Sequence, residues 1–225
     1  MDEDDKIKYK EEIIKKAMSL LSSKDKLDEA ELMLLNLEKE FPEDLIIKQN
    51  LSVILHQNGK SDEGIEKLKQ AVKIDPEEFS NYHNIGLIYQ KKKQFREAKA
   101  FFHKAVEVDR EKAHICLTLL GQIYFNEGDM VNSLKAYQGV IEINGEDAFN
   151  ANLGKGLCLS RLGYKKEAKQ CLEKVVKLKP NDVHTREALA FLYLDIGMHR
   201  EGLDINKELI GDIIFDTSKK EINII

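Results

Sequence analysis

Cysteine and histidine are the residues of this 225-residue chain whose chemistry suits metal binding or nucleophilic catalysis. The sequence has 3 cysteines and 6 histidines, but it has no His-x-x-x-His pair and no Cys-x-x-Cys motif. Since a zinc site needs several ligands at such spacings, we predict no metal site. The sequence also lacks a Gly-x-Ser-x-Gly motif and a Walker-type phosphate loop. We therefore predict no catalytic residues, no cofactor and no enzyme activity.

Two asparagines are either exposed residues of a polar helix face or part of a binding site. Asn50 and Asn84 lie 34 residues apart in the sequence. An asparagine side chain donates and accepts hydrogen bonds at once, so it can pair with both polar groups of an extended peptide backbone. Two such residues could hold a peptide at regular intervals only if the elements that carry them also repeat.

The sequence does repeat, with a period of 34 or 35 residues. When the repeats are aligned, each position forms a column of equivalent residues. Two columns of mostly small residues and one column of large residues share this spacing. The columns are Ala30, Gly64, Ala98, Ser133, Ala168 and Gly202; Met18, Ser52, Gly86, Gly121, Gly156 and Ala190; and Leu21, Leu55, Tyr89, Tyr124, Leu159 and Tyr193. Because independent columns agree on one period, internal repeats are predicted.

Each repeat has the pattern of two helices. In the third repeat, apolar residues recur at helical spacing from Tyr82 to Tyr89 and again from Phe95 to Val106. Glycine follows the first helix in four repeats, where it can close a helix C-terminus in the left-handed conformation: Gly59, Gly128, Gly163 and Gly197. Small residues let the two antiparallel helices approach closely, and stacked pairs bury a continuous core.

The third repeat resembles the tetratricopeptide repeat. The residues that carry the resemblance are the run Tyr82-His83-Asn84-Ile85-Gly86-Leu87-Ile88-Tyr89, followed by Ala98, Phe102 and Ala105. The resemblance implies an all-α fold, a right-handed α-solenoid superhelix of stacked antiparallel helix pairs. We expect a frayed, charged N-terminus over 1–10 and an apolar C-terminal tail over 217–225, which is a cap in one interpretation. Between them we expect six repeats, at about 11–44, 45–78, 79–113, 114–148, 149–182 and 183–216.

In this family the first helix of each repeat lines a concave groove, so the resemblance implies a ligand groove in this chain. Its residues would be Lys15, Gln49, Asn50, His83, Asn84, Gln122, Phe125, Leu153, Leu157 and Phe191. The N-terminal half of this groove is polar, and the C-terminal half is apolar. Lys15, Asn50 and Asn84 match positions at which co-chaperones of the family hold an acidic C-terminus, whereas Ser19 and Ser80 differ from them.

The resemblance implies a non-catalytic scaffold or adaptor, co-chaperone-like, that binds a peptide or helical segment of a protein partner. Two alternatives stay open: the chain is the repeat region of a longer enzyme or signalling protein, or it is an RNA-binding solenoid. The net charge of −5 argues against nucleic acid. We expect a cytoplasmic protein, because no apolar run approaches the ~18 residues of a membrane span and no signal peptide is apparent.

Two surface features complete the sequence-based expectations. The third repeat carries a basic run (Lys91, Lys92, Lys93, Arg96 and Lys99), which we interpret as a solvated turn rather than a patch for nucleic acid or an acidic partner. The C-terminal end, in contrast, is rich in isoleucine. It folds back as a cap, docks on a partner or a second copy of the chain, or is the edge of a longer protein.

Overall fold

The computed structural model describes residues 2–145, 148–210, 213–216 and 221–224. Over these residues the chain is built almost entirely from antiparallel helix pairs, so the predicted all-α helical repeat fold is confirmed. The helices are α1 (Glu3–Ser19), α2 (Leu27–Glu40), α3 (Leu45–Gln57), α4 (Ser61–Ile74), α5 (Phe79–Lys91), α6 (Phe95–Val108), α7 (Ala113–Glu127), α8 (Met130–Asn144), α9 (Phe149–Arg161), α10 (Lys165–Leu178), α11 (Val183–Asp195) and α12 (His199–Ile210). Two 3-10 helices, Leu20–Ser22 and Lys24–Lys26, connect α1 to α2.

The chain divides into two compact units, Met1–Cys116 and Leu117–Ile225. The first unit contains α1 to α6, and the second contains α8 to α12, while α7 contributes residues to both. Each unit has its own buried apolar residues, so each is described separately.

Helix ends follow from local sequence. Asp44 and Asp182 precede α3 and α11, and their carboxylates accept hydrogen bonds from the backbone N–H groups of Ile47 (3.0 Å) and Thr185 (2.9 Å). These bonds satisfy N–H groups that have no partner within the helix. The four predicted turn glycines close the first helices of their pairs with φ between +81° and +87°. Glycine reaches this conformation without a steric penalty.

Close helix crossings in the first unit depend on small residues. A Cβ atom added to Gly86 of α5 would lie 2.5 Å from the Phe102 ring of α6. Ala98 of α6 is completely buried, as its column predicts. The aliphatic side chains of Leu34, Leu51 and their neighbours form the core between α1, α2 and α3.

The second unit uses the same arrangement around an aromatic ring. Tyr137 of α8 packs against Gly121 of α7 and Gly154 of α9, where an added Cβ would lie 2.8 Å and 2.5 Å from the ring. Cys158 is completely buried, and its thiol lies 3.2 Å from the hydroxyl of Ser133. These contacts explain why the small columns recur with the repeat period.

The N-terminus differs from the expectation of a frayed segment over 1–10. Helix α1 begins at Glu3, and Asp2 caps it by accepting a hydrogen bond from the N–H of Asp5 at 2.8 Å. Acidic residues in the first turn also interact favourably with the helix dipole. The ammonium group of Lys10 forms a 2.6 Å ion pair with Asp44, the residue that precedes α3, and so ties α1 to the next helix pair.

The C-terminal end contains two short strands that the sequence did not predict. Strand β1 (Ile213–Asp216) pairs antiparallel with β2 (Glu221–Ile224), with Ile213 opposite Ile224. Isoleucine favours extended structure, which accounts for the ladder. Residues 217–220 and 225 of the expected apolar tail lie outside the described residues. The repeat boundaries themselves remain predictions.

Candidate functional site

All ten predicted groove residues lie on the first helices of the pairs, five in each compact unit. The first unit provides Lys15 on α1, Gln49 and Asn50 on α3, and His83 and Asn84 on α5; the second provides Gln122 and Phe125 on α7, Leu153 and Leu157 on α9, and Phe191 on α11. We call the exposed side of these helices the first-helix face of each unit.

Gln49 connects neighbouring first helices rather than pointing freely into solvent. Its side-chain amide donates hydrogen bonds to the hydroxyl of Ser80 (3.0 Å) and to the side-chain oxygen of Asn81 (2.8 Å). Ser80 in turn donates a 2.6 Å hydrogen bond to the Glu78 carboxylate, and Asn81 is completely buried. The amide of Gln49 therefore holds α3 against α5.

The two asparagines remain half-buried at equivalent positions of α3 and α5. The side-chain amide of Asn50 donates a 2.8 Å hydrogen bond to the carbonyl oxygen of Ile46 in its own helix. This hydrogen bond uses one of the two N–H groups of the Asn50 amide. The peptide-holding role of Asn50 and Asn84 remains a prediction, and so does that of Lys15, which is exposed on α1.

His83 lies in an aromatic and sulfur-containing environment. Its ring stacks on Phe79 with centroids 5.6 Å apart, and its Nδ1 atom is 3.3 Å from the thiol sulfur of Cys116. Burial lowers the pKa of His83 and raises the pKa of Cys116 to about 12. The thiol is thus protonated and fully buried at neutral pH, so this Cys–His contact supports packing rather than nucleophilic chemistry.

Sequence reasoning missed the contact between His83 and Cys116, because the two residues are 33 positions apart and no motif pairs them. The repeat period was the signal that could have found it. Residues almost one period apart lie on adjacent first helices and come into contact there.

The first-helix face of the second unit is aromatic and aliphatic. The Arg161 guanidinium lies 4.2 Å from the centroid of the Phe125 ring, a cation–π geometry. Leu153 is half-buried against the core that contains Leu172 and Leu189. Leu157, one helical turn further along α9, is also half-buried.

Phe191 is the most exposed of these apolar residues, at 69% of its full surface. Its neighbours on the same helix are charged: Asp195 forms an ion pair with Lys165, and Glu187 lies 3.7 Å from His184. Gln122 is exposed on α7. Leaving a phenyl ring in water forgoes about 1.5–3 kcal/mol of burial energy, so Phe191 offers apolar area that a contact would bury.

Two kinds of site are not found in the part of the chain that the structure describes. No group of three or more His, Cys, Asp or Glu side chains is placed to hold a metal ion. None of the helices there combines the length and apolar character needed to cross a membrane.

Comparison with known proteins matches the repeats to family models. A model described as TPR repeat matches residues 54–93, and a model described as tetratricopeptide repeat matches residues 79–112, 116–147 and 149–182. The matched ranges together cover more than half of the chain. Those at 79–112, 116–147 and 149–182 coincide with the pairs α5–α6, α7–α8 and α9–α10, and the one at 54–93 runs from the end of α3 through α4 and α5.

Three individual proteins illustrate the similarity. The peroxisomal targeting signal receptor of Saccharomyces cerevisiae is 22% identical over 91% of this chain and 39% of its own length. The BBSome complex member BBS4 of Bos taurus is 28% identical over 40% of this chain and 17% of its own length. The crystal structure of YrrB, described as a TPR protein with an unusual peptide-binding site, superposes with a TM-score of 0.67 at 21% identity, covering 79% of this chain and 90% of YrrB.

Proposed function

Because the chain belongs to the tetratricopeptide repeat family, we propose that it is a non-catalytic scaffold that binds a peptide or helical segment of a partner protein along its first-helix faces. Repeats of this family form protein–protein interaction modules. A similar solved protein is described as having a peptide-binding site, and one relative is named a targeting signal receptor. Both descriptions support a peptide segment as the ligand.

The observation that carries the proposal is the exposure of Phe191 on α11, on the same first-helix face as the half-buried Leu157 and the Phe125–Arg161 pair. An aromatic side chain that is rigid and exposed can bury a large area on binding with little loss of side-chain entropy. The polar residues of the first unit, Asn50 and Asn84, would pair with the backbone of an extended ligand. In this proposal backbone contacts give affinity and the apolar face selects the side chain.

A protein partner is favoured over nucleic acid by the net charge of −5, because nucleic-acid binding depends on neutralising phosphates. The curated relatives are longer than the matched region: the chain spans 39% of the peroxisomal receptor and 17% of the BBSome member. This favours, as a second proposal, a role as the recognition part of a longer enzyme or signalling protein. Cytoplasmic location, a co-chaperone-like role and self-association through the C-terminal edge remain predictions.

The test is a selection of peptides from a phage-displayed random library on the full chain, followed by calorimetry with the enriched peptide. We expect Phe191→Ala to weaken binding by on the order of 2 kcal/mol. Val131→Ala is the matched control, since Val131 is an exposed apolar residue (53%) on the second helix of its pair. If Val131→Ala weakens binding and Phe191→Ala does not, the ligand lies on the second helices and the proposal is wrong.

A further inference from the structure

The turn between α5 and α6 differs from the equivalent turns of the chain in its backbone. Four equivalent turns place glycine at a positive φ, and Gly59 and Gly163 are two of them. Lys93 occupies the same position in this turn with φ +59°, and it is the single non-glycine residue with positive φ among the described residues. A side chain with a Cβ atom is strained in this conformation, so glycine would be the more stable choice.

The charge of this turn is also unusual, because three of its cations are exposed. Lys91, Lys93 and Arg96 lie at the end of α5, in the turn and at the start of α6. Within the described ranges none of these three side chains forms an ion pair, whereas the neighbouring Lys92 pairs with Asp62 of α4. Three positive charges within one turn repel one another, which adds to the backbone strain.

An apolar residue stands among these charges in the sequence. Phe95, the first residue of α6, is 40% exposed and stands between Lys93 and Arg96 in the sequence. An aromatic ring beside cations can bury a partner's apolar side chain while the cations pair with its acids. The turn therefore offers both an anchor and charge complementarity.

Acidic residues of α4 limit the extent of the positive surface. The ion pair between Lys92 and Asp62 brings α4 next to the turn, and Glu63 and Glu66 are exposed on that helix. A nucleic acid or a membrane surface would extend over these acids and be repelled by them. A short acidic segment can contact Lys91, Lys93 and Arg96 without covering Glu63 and Glu66.

We propose that this turn, with Lys91, Lys93 and Arg96 around Phe95, is a docking surface for a short acidic segment of a partner protein that carries one apolar side chain. The solvated-turn interpretation of the basic run does not explain why a strained lysine stands where other repeats of this chain have glycine. This proposal does not depend on ligand binding at the first-helix faces.

The experiment uses a fluorescein-labelled peptide, Glu-Glu-Glu-Leu-Glu-Glu-Glu, and measures its binding to the full chain by fluorescence anisotropy at low salt. We expect Lys93→Gly and Arg96→Gln each to weaken binding about two- to fivefold, as for an exposed ion pair. Phe95→Ser should weaken it by roughly tenfold if the ring is the anchor. The matched control is Lys104→Gln, which removes an exposed charge from the same helix and should change binding little.

Lys93→Gly has a second readout that separates strain from binding. Removing the strained side chain should raise the melting temperature by about 2–4 °C while binding becomes weaker. Asparagine also tolerates a positive φ but carries no charge, so the Lys93→Asn variant should bind the peptide more weakly than the natural chain does. Phe191→Ala should leave this peptide's binding unchanged, so failure here and failure of the first-helix proposal are distinguishable.

Several outcomes would overturn the docking surface. One is the absence of binding up to about 1 mM peptide, the weakest affinity that a specific contact normally shows. Another is an equal loss for Lys104→Gln and Arg96→Gln, which would mean that only overall charge matters. Tighter binding of a poly-dT oligonucleotide or of phosphatidylserine vesicles, with the same dependence on Lys93 and Arg96, would assign the surface to nucleic acid or membrane instead.

Discussion

The first-helix faces of the two compact units differ in how their side chains contact neighbouring helices. In the first unit, Gln49 donates hydrogen bonds to the neighbouring first helix and His83 packs against Cys116. In the second unit, Leu157 stays half-buried and Phe191 is largely exposed. The first-helix surface can therefore either join adjacent helix pairs or stay exposed, and the side chain at each position decides which.

The largest expected effect concerns the small residues at helix crossings, which both units share. Ala98 in the first unit and Ala168 in the second are equivalent, and both are completely buried at helix crossings. We expect Ala98→Leu and Ala168→Leu each to lower the free energy of unfolding by about 1–3 kcal/mol, because the larger side chain overpacks the crossing. Thermal unfolding followed by circular dichroism measures both.

The control for these variants is Ala100→Leu on α6, since Ala100 is exposed and leucine keeps the helix propensity. An unchanged melting temperature for Ala98→Leu would mean that the column is not at a crossing. A loss in one unit alone would mean that the two units follow different packing rules.

How much the sequence predicted depends on whether a feature is periodic. The small columns and the turn glycines recur in most repeats, and the structure places Gly86 against Phe102 and Gly59 at positive φ. Repetition supplies several independent tests of one position, which is why the fold was predictable. The strands β1 and β2 occur once, outside the repeat pattern, and were not predicted.

The candidate site was less predictable because exposure and partners depend on single residues. The repeat period placed Gln49 and Phe191 on first helices, but it could not tell that Gln49 bonds Ser80 and Asn81 while Phe191 stays exposed. Lys93 is a similar case: its column predicts glycine, and the backbone conformation is kept although the side chain differs. The residue type that most repeats share at a position does not predict an exception in one repeat.

A smaller effect tests whether the first unit's polar face is structural. Gln49→Ala removes the hydrogen bonds to Ser80 and Asn81 and leaves the buried oxygen of Asn81 without its donor. We expect the free energy of unfolding to fall by about 0.5–1.5 kcal/mol. Gln57→Ala, on an exposed glutamine of the same helix, is the matched control. Equal urea midpoints for the two variants would show that Gln49 is available to a ligand after all.

The smallest effect concerns the pH dependence of the first unit. Burial lowers the pKa of His83 below its ordinary value of 6.5, because the ring between Phe79 and Cys116 is poorly solvated when charged. The unfolded chain therefore binds a proton more tightly than the folded chain does, and stability falls as the pH drops below about 6.5. His56 acts in the same direction, since burial and the nearby charge of Lys91 lower its pKa as well.

His83→Gln removes one of these two groups, so the loss of stability between pH 7.5 and pH 5.5 should become smaller than in the natural chain. Urea unfolding at the two pH values measures the difference. The control is His184→Gln, because the His184 side chain is 87% exposed and lies on the first-helix face of the second unit. An equal reduction in both variants would mean that the pH dependence does not arise from the burial of His83 in the first unit. The contrast between the first unit's face, whose side chains bond to neighbouring helices, and the second unit's exposed face would then rest on Gln49 alone.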